Sequence, residues 1–204
     1  MSRRTIGIVD YGVSNLTSVW RALHSLGYRC RVSSEYEVLN DTDMLLLPGV
    51  GAFPAAMEAL HRHNLVQYLQ DQARNGRPIM GICLGMQLMA DESTEHKLTS
   101  GLGLIPGRVS ALDNGGWHIG WNSIEILDDY DRLLKPSDGQ SVYFNHSYTF
   151  NPPTEYRAAI ARREEPITVI VRRGNIIGLQ FHPEKSQVAG RQLLRNIIEG
   201  LCSD

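Results

Sequence analysis

The chain has 204 residues, with 20 basic against 22 acidic side chains and a formal net charge of −2. A hydrophobic share of 42% and a charged share of 21% suit one globular domain over residues 1–204 with a full core. This charge balance argues against a nucleic acid or an anionic membrane surface as partner. No apolar stretch approaches the roughly 20 residues that span a bilayer. The short apolar run after Arg3 and Arg4 is too brief and too soon interrupted by Asp10 to read as a signal peptide. Cys30, Cys83 and Cys202 are odd in number and scattered, which fits neither a disulfide framework nor a metal site. A cytoplasmic enzyme without metal or cofactor is the expectation.

Taken in chain order, the first half alternates apolar strands with helical patterns. Ile6 to Val9 reads as a strand ended by Asp10-Tyr11-Gly12. Ser14 can cap a helix with Leu16, Val19, Trp20, Leu23 and Leu26 at helical spacing, stopped by Gly27. Arg29 to Ser33 is a second strand. Met44 to Leu47 is a continuous apolar run closed by Pro48-Gly49, as a strand buried on both faces would be. A helical stretch over about 54–73 shows a break near His63-Asn64, and Ile79 to Ile82 is the next strand. This alternation predicts a parallel sheet with right-handed crossovers.

Beyond residue 102 the strand candidates follow one another without long helices, at 108–112, 122–127, 142–144, 157–161, 167–172 and 176–181. Arg173-Gly174-Asn175 suits a hairpin turn between the last two. A final helix over about 186–201 has Leu193, Leu194, Ile197, Ile198 and Leu201 on one face. The fold class is therefore α/β, with a mainly parallel central sheet and a smaller antiparallel annex.

The most informative stretch is Gly81-Ile82-Cys83-Leu84-Gly85-Met86-Gln87, where a strand gives way to residues that suit a helix. Glycines two before and two after Cys83 permit a tight strand-to-helix turn that pushes the middle side chain out of the sheet. A thiol at a helix N-terminus is favoured as its thiolate. The alternative is a buried structural cysteine, which lacks a reason for both glycines. A cysteine nucleophile needs a base and a group that orients it. His182 and Glu184, two apart at a strand end with Pro183 between, can set imidazole and carboxylate side by side. His24, His61, His63, His96 and His118 read as ordinary surface or core residues. An oxyanion would need donors: the elbow supplies the N–H of Leu84, and Pro48-Gly49-Val50-Gly51 could supply a second.

These motifs also carry a resemblance. DYG-x-x-N at 10–15, LPGVGAF at 47–53, GICLGMQ at 81–87, GLGLIPGRV at 101–109, HIGWN at 118–122, HSY at 146–148 and QFHPEKS at 180–186 occur in that order. Together they resemble the triad, or class I, glutamine amidotransferases, and within these the glutaminase subunits of imidazole glycerol phosphate synthase. The resemblance implies hydrolysis of glutamine to glutamate and ammonia. The ammonia would pass to a (β/α)8-barrel cyclase forming imidazole glycerol phosphate and AICAR in histidine biosynthesis. It implies Cys83 as nucleophile, His182 as base and Glu184 as orienting acid, with Gly49 and Val50 in the oxyanion strand. It further implies Gln87, Glu95, Ser147 and Tyr148 as glutamine-binding residues, and Asn15, Trp121, Asn122 and Lys185 as cyclase-facing. The oxyanion peptide is expected to need the partner for its productive orientation.

Three departures stand out: Ser14 where the family usually has Gly, Trp117 after Gly115-Gly116 where it usually has Pro, and Asn145 where an apolar residue is more common. All three fall in segments resembling partner-facing ones. That keeps open a paralogous glutaminase feeding a related cyclase in surface-polysaccharide synthesis. Hydrolysis of another small amide, and a non-catalytic scaffold on the same fold, are the further alternatives.

Overall fold

The structure, a computed structural model, describes residues 3–12, 15–112 and 116–202. Ser14, read as a helix cap, and Gly115 lie outside the described residues. In chain order the strands and helices are β1 (Thr5–Val9), α1 (Leu16–Ser25), β2 (Arg29–Ser33), α2 (Tyr36–Asn40), β3 (Met44–Gly49), α3 (Phe53–Arg62), α4 (Leu65–Arg74), β4 (Ile79–Cys83) and α5 (Leu84–Gln87). The chain continues with β5 (Glu92–Ser93), β6 (Thr99–Ser100), β7 (Arg108–Ala111), β8 (His118–Ile126), β9 (Ser141–His146), β10 (Tyr148–Asn151), β11 (Arg157–Ala161), β12 (Ile167–Arg173), β13 (Ile176–Leu179) and α6 (Gln187–Leu201).

Among the described residues nine strands form one sheet in the order β2-β1-β3-β4-β13-β12-β11-β8-β9. The first five run parallel, and from β13 onward every pairing is antiparallel. The α/β class with a parallel centre is as expected. Most of the antiparallel strands extend that same sheet, because β13 pairs with β4 on one side and with its hairpin partner β12 on the other. What stands apart is a small sheet, β10-β7-β5-β6.

The apolar run of β3 divides between two cores, as a strand covered on both faces must. Met44 and Leu46 join Ile6, Ile8 and the apolar stripes of α1 and α6 on one side. Leu45 and Leu47 join Phe53, Leu60 and Leu69 from α3 and α4 on the other. Asn64, with φ 56°, separates α3 from α4 where the break near His63-Asn64 was expected, because a left-handed residue cannot continue a right-handed helix. No helix among the described residues is long and apolar enough to cross a membrane.

Candidate active site

β4 and β13 lie side by side and parallel, so the segments that leave them emerge at the same carboxyl edge of the sheet. β4 ends at Cys83, and His182 lies just beyond the end of β13. Cys83 has φ 54° and ψ −111°, a conformation a non-glycine residue holds only when its surroundings impose it. The surroundings are the two glycines. A Cβ on Gly81 would meet the Gly85 carbonyl at 2.6 Å, and one on Gly85 would meet the Leu47 oxygen at 1.8 Å. Only backbone fits between β3, β4 and the turn. The helix after the elbow, α5, has four residues, so the aid it gives a thiolate comes from its first free N–H groups more than from a long dipole.

His182 is 4% exposed, lines the same cavity as Cys83 and hydrogen-bonds with Glu184. Its Nδ1–H donates to Glu184 Oε1 over 2.8 Å, which leaves Nε2 for the thiol. Burial favours the neutral ring, but the hydrogen bonds and charges of Cys83 and Glu184 outweigh it and raise the pKa to about 9. A protonated imidazole beside a thiol is the arrangement that stabilises a thiolate.

Gly49 pairs with Cys83 across β3 and β4. Tyr11 donates its buried hydroxyl to the Pro48 carbonyl over 2.7 Å. Because a trans peptide is planar, that bond also fixes the direction of the Gly49 N–H. A Cβ on Gly49 would lie 2.7 Å from the Tyr11 hydroxyl and 2.9 Å from Gly85 N, so the close approach requires glycine. Leu84, first residue of α5, has a backbone N–H without a partner inside its helix.

A cavity of about 310 Å3 opens beside the thiol, lined among others by Val50, Cys83, Leu84, Gln87, Glu95, Ser147, Tyr148 and His182. All four residues expected to bind glutamine thus reach one space. Gln87 uses its amide nitrogen within the protein, donating to the Tyr148 carbonyl and to Gln180 Oε1, each over 3.0 Å. Its own Oε1 remains for a ligand. Glu95 Oε2 accepts the Phe53 N–H at 2.7 Å, holding the carboxylate at the start of α3. A larger hollow of about 560 Å3, beside Arg74, Leu104 and Arg173, adjoins Ile176 at the opposite end of β13 and holds none of these groups.

Of the residues expected at a partner surface, Trp121 is 51% exposed and stands edge-on to Tyr143, and the Lys185 ammonium lies 5.8 Å from the centre of that same ring. Asn15 is exposed at the start of α1. Asn122 is half-buried, with its amide turned into the protein. Val50, Trp117, Ile119 and Trp121 expose apolar surface, and the first two line the cavity itself. Of the departures, Asn145 brings its carbonyl to 4.0 Å from the Cys83 sulfur.

Sequence reasoning gave no role to Tyr11 or to Gln180, which reaches the sulfur at 4.0 Å, and read His118 as an ordinary residue. The signal for Gln180 was its place two residues before His182. For Tyr11 it was its place in the DYG-x-x-N motif that ends the first strand.

A cysteine on such an elbow, beside a buried histidine and carboxylate on a mixed sheet of this order, defines a class of protein. The family model described as glutamine amidotransferase class-I matches residues 7–200. The HisH subunit of imidazole glycerol phosphate synthase from Listeria innocua serovar 6a is 42% identical over 198 residues, 95% of each chain. Its counterpart from Carboxydothermus hydrogenoformans is 43% identical over 196 residues, 95% of this chain and 98% of the relative. The chain belongs to the class-I glutamine amidotransferases and, among them, to the HisH subunits of imidazole glycerol phosphate synthase. The solved structure of PurLQS from Thermotoga maritima shares the fold at a TM-score of 0.78 and 19% identity, covering 98% of this chain and 100% of that one.

Proposed function

We propose that residues 1–204 form one amidotransferase domain in which Cys83, His182 and Glu184 hydrolyse L-glutamine. The ammonia is delivered to a (β/α)8-barrel cyclase, which uses it in the cytoplasm to make imidazole glycerol phosphate and AICAR for histidine biosynthesis. The observation that carries the reading is the buried line from Glu184 through His182 to a thiol on a strained elbow, beside a cavity of suitable size.

The Cys83 thiolate attacks the side-chain carbonyl carbon of glutamine, and the N–H groups of Leu84 and of the Gly49–Val50 segment receive the developing oxyanion. Protonated His182 gives its Nε2 proton to the departing nitrogen, so the C–N bond breaks and ammonia leaves a thioester. Water, losing a proton to the now neutral His182, adds to the thioester. Collapse expels the thiolate and releases glutamate. Glu184 keeps Nδ1 protonated throughout and stabilises the imidazolium. The Gln87 oxygen, the Glu95 carboxylate, and Ser147 and Tyr148 receive the amino-acid end of the substrate. Asn15, Trp121, Asn122 and Lys185 lie toward the cyclase, and the exposed apolar surface at Trp117, Ile119 and Trp121 suits such a contact.

The test uses the chain together with its cyclase. Cys83→Ala is expected to abolish product formation from glutamine while leaving formation from added ammonium salts. Loss of both, or survival of glutamine use, would overturn the reading.

A further inference from the structure

His118 in β8 and His146 in β9 face each other directly across the antiparallel pair and are 7% and 5% exposed. Neither has a part in the chemistry proposed above, yet together they belong to a hydrogen-bond chain whose direction is fixed. Asn122 Oδ1 accepts the Ser123 N–H at 2.8 Å, so Asn122 Nδ2 is the donor to His118 Nε2 at 3.2 Å. His118 Nε2 therefore carries no proton and Nδ1 does. His118 Nδ1 lies 2.9 Å from His146 Nε2, which must accept. The His146 proton then sits on Nδ1, which donates to the Tyr148 carbonyl at 2.8 Å. That carbonyl also accepts from Gln87, whose amide bonds Gln180, whose amide in turn reaches the Cys83 sulfur.

We infer that His118 and His146 are positioning residues, a pair of neutral imidazoles in matched tautomers that hold the Tyr148 peptide and the Gln87 amide in their glutamine-binding geometry. The inference rests on the glutaminase reading. Each ring can play its part only as the Nδ1–H tautomer, and a second proton on either would set two donors against each other or against the Asn122 amide. The surroundings protect neutrality. Burial and the charge of Arg163 lower the pKa of His118 to about 4. Burial, His118, Arg163 and His182 together lower that of His146 to about 3, against the opposing bond to Tyr148. Phe144, stacked on His118 with ring centres 4.2 Å apart, offers no acceptor that could draw the proton elsewhere. The chain starts at Asn122, in the motif expected to face the partner, so it joins that strand to the wall of the substrate cavity.

Two measurements on the full chain test this. Long-range 1H–15N correlation spectra of the histidine rings should show His118 and His146 as neutral Nδ1–H tautomers, unchanged from pH 8 to pH 5. An Nε2–H tautomer on either ring, or protonation of either within that range, overturns the relay. In the complex with the cyclase, His118→Leu should raise the KM for glutamine roughly tenfold with kcat little changed, since a buried acceptor loses its donor. His118→Asn, whose amide can donate from the Nδ1 position, should recover most of that loss. Equal KM in all three proteins, or equal loss in both variants, overturns the positioning role. The tautomers are read without turnover, so they can fail or hold independently of the glutaminase reading, whereas absence of glutamine hydrolysis by the unaltered complex overturns that reading itself.

Discussion

Between the thiol and Glu184, the His182 ring is held protonated against the pull of its own burial, and this gives a signed dependence on pH. Its folded pKa of about 9 exceeds the ordinary 6.5, so its contribution to stability is complete below pH 6.5 and is lost as pH rises through 9. For a buried group so displaced the effect is on the order of 1–3 kcal/mol. Removing the sulfur withdraws the interaction with Cys83 that favours the charged ring. In Cys83→Ala, therefore, the decline in stability between pH 6.5 and 9 should flatten, measured by urea unfolding at several pH values. An unchanged slope in the variant would count against the assignment. The residues that the structure brings together beside the elbow were legible because short motifs carry them: glycines around a cysteine, and a histidine and glutamate flanking a proline. Tyr11, Gln180 and the His118–His146 pair were not. Their roles arise from cross-strand register and from side chains and carbonyls that other segments turn toward them, which a one-dimensional pattern does not record.

At the scale of elements, long periodic segments were read well and short ones poorly. The run at 44–47, the stripes of α1 and α6 and the hairpin at Gly174 each carry a period or turn signal over several residues. β5 and β6 have two residues each, too few for any period, and β10 is separated from β9 by Ser147 alone. β8 begins at His118, ahead of the expected 122, because Gly120 with φ 109° interrupts an alternation that otherwise extends through Ile119 and Trp121. The elbow is the element whose geometry tolerates least. Gly85→Ala would press a methyl group into the Leu47 carbonyl, which belongs to β3 and cannot turn aside. A stability loss of roughly 3 kcal/mol or more, with loss of Cys83 alkylation by a glutamine analogue, is the expected outcome. Denaturant unfolding and mass mapping of the labelled cysteine check it, and an unaltered midpoint would show that the turn has room to spare.

For the whole molecule, the exposed tryptophans are the surface that the proposed cyclase partner would cover. Trp121 is half exposed and touches the body of the protein through Tyr143, so its removal should leave the fold intact. Trp121→Ala should weaken association with the cyclase by roughly 30-fold or more, as truncating an aromatic anchor does. Calorimetric titration reads this directly, and an undiminished affinity would place the contact elsewhere. The architecture was legible in outline, as alternating βα units followed by a strand-rich second half. That the second half would prolong the first sheet was not, since nothing local tells β13 to lie beside β4.

The position of β13 also orders events in time. It occupies the middle of the nine-stranded sheet, yet among the described strands it is the last the ribosome delivers. Until it docks, the parallel and antiparallel halves share no hydrogen-bonded edge, and the pairing that joins them, Ile176 beside Ile79, spans nearly half of the chain, a long-range contact that is slow to form. The same few residues bring His182 and Glu184 to the thiol. On the proposed reading, an unfinished chain presents Cys83 without its base, and competence to split an amide arrives in the step that closes the sheet.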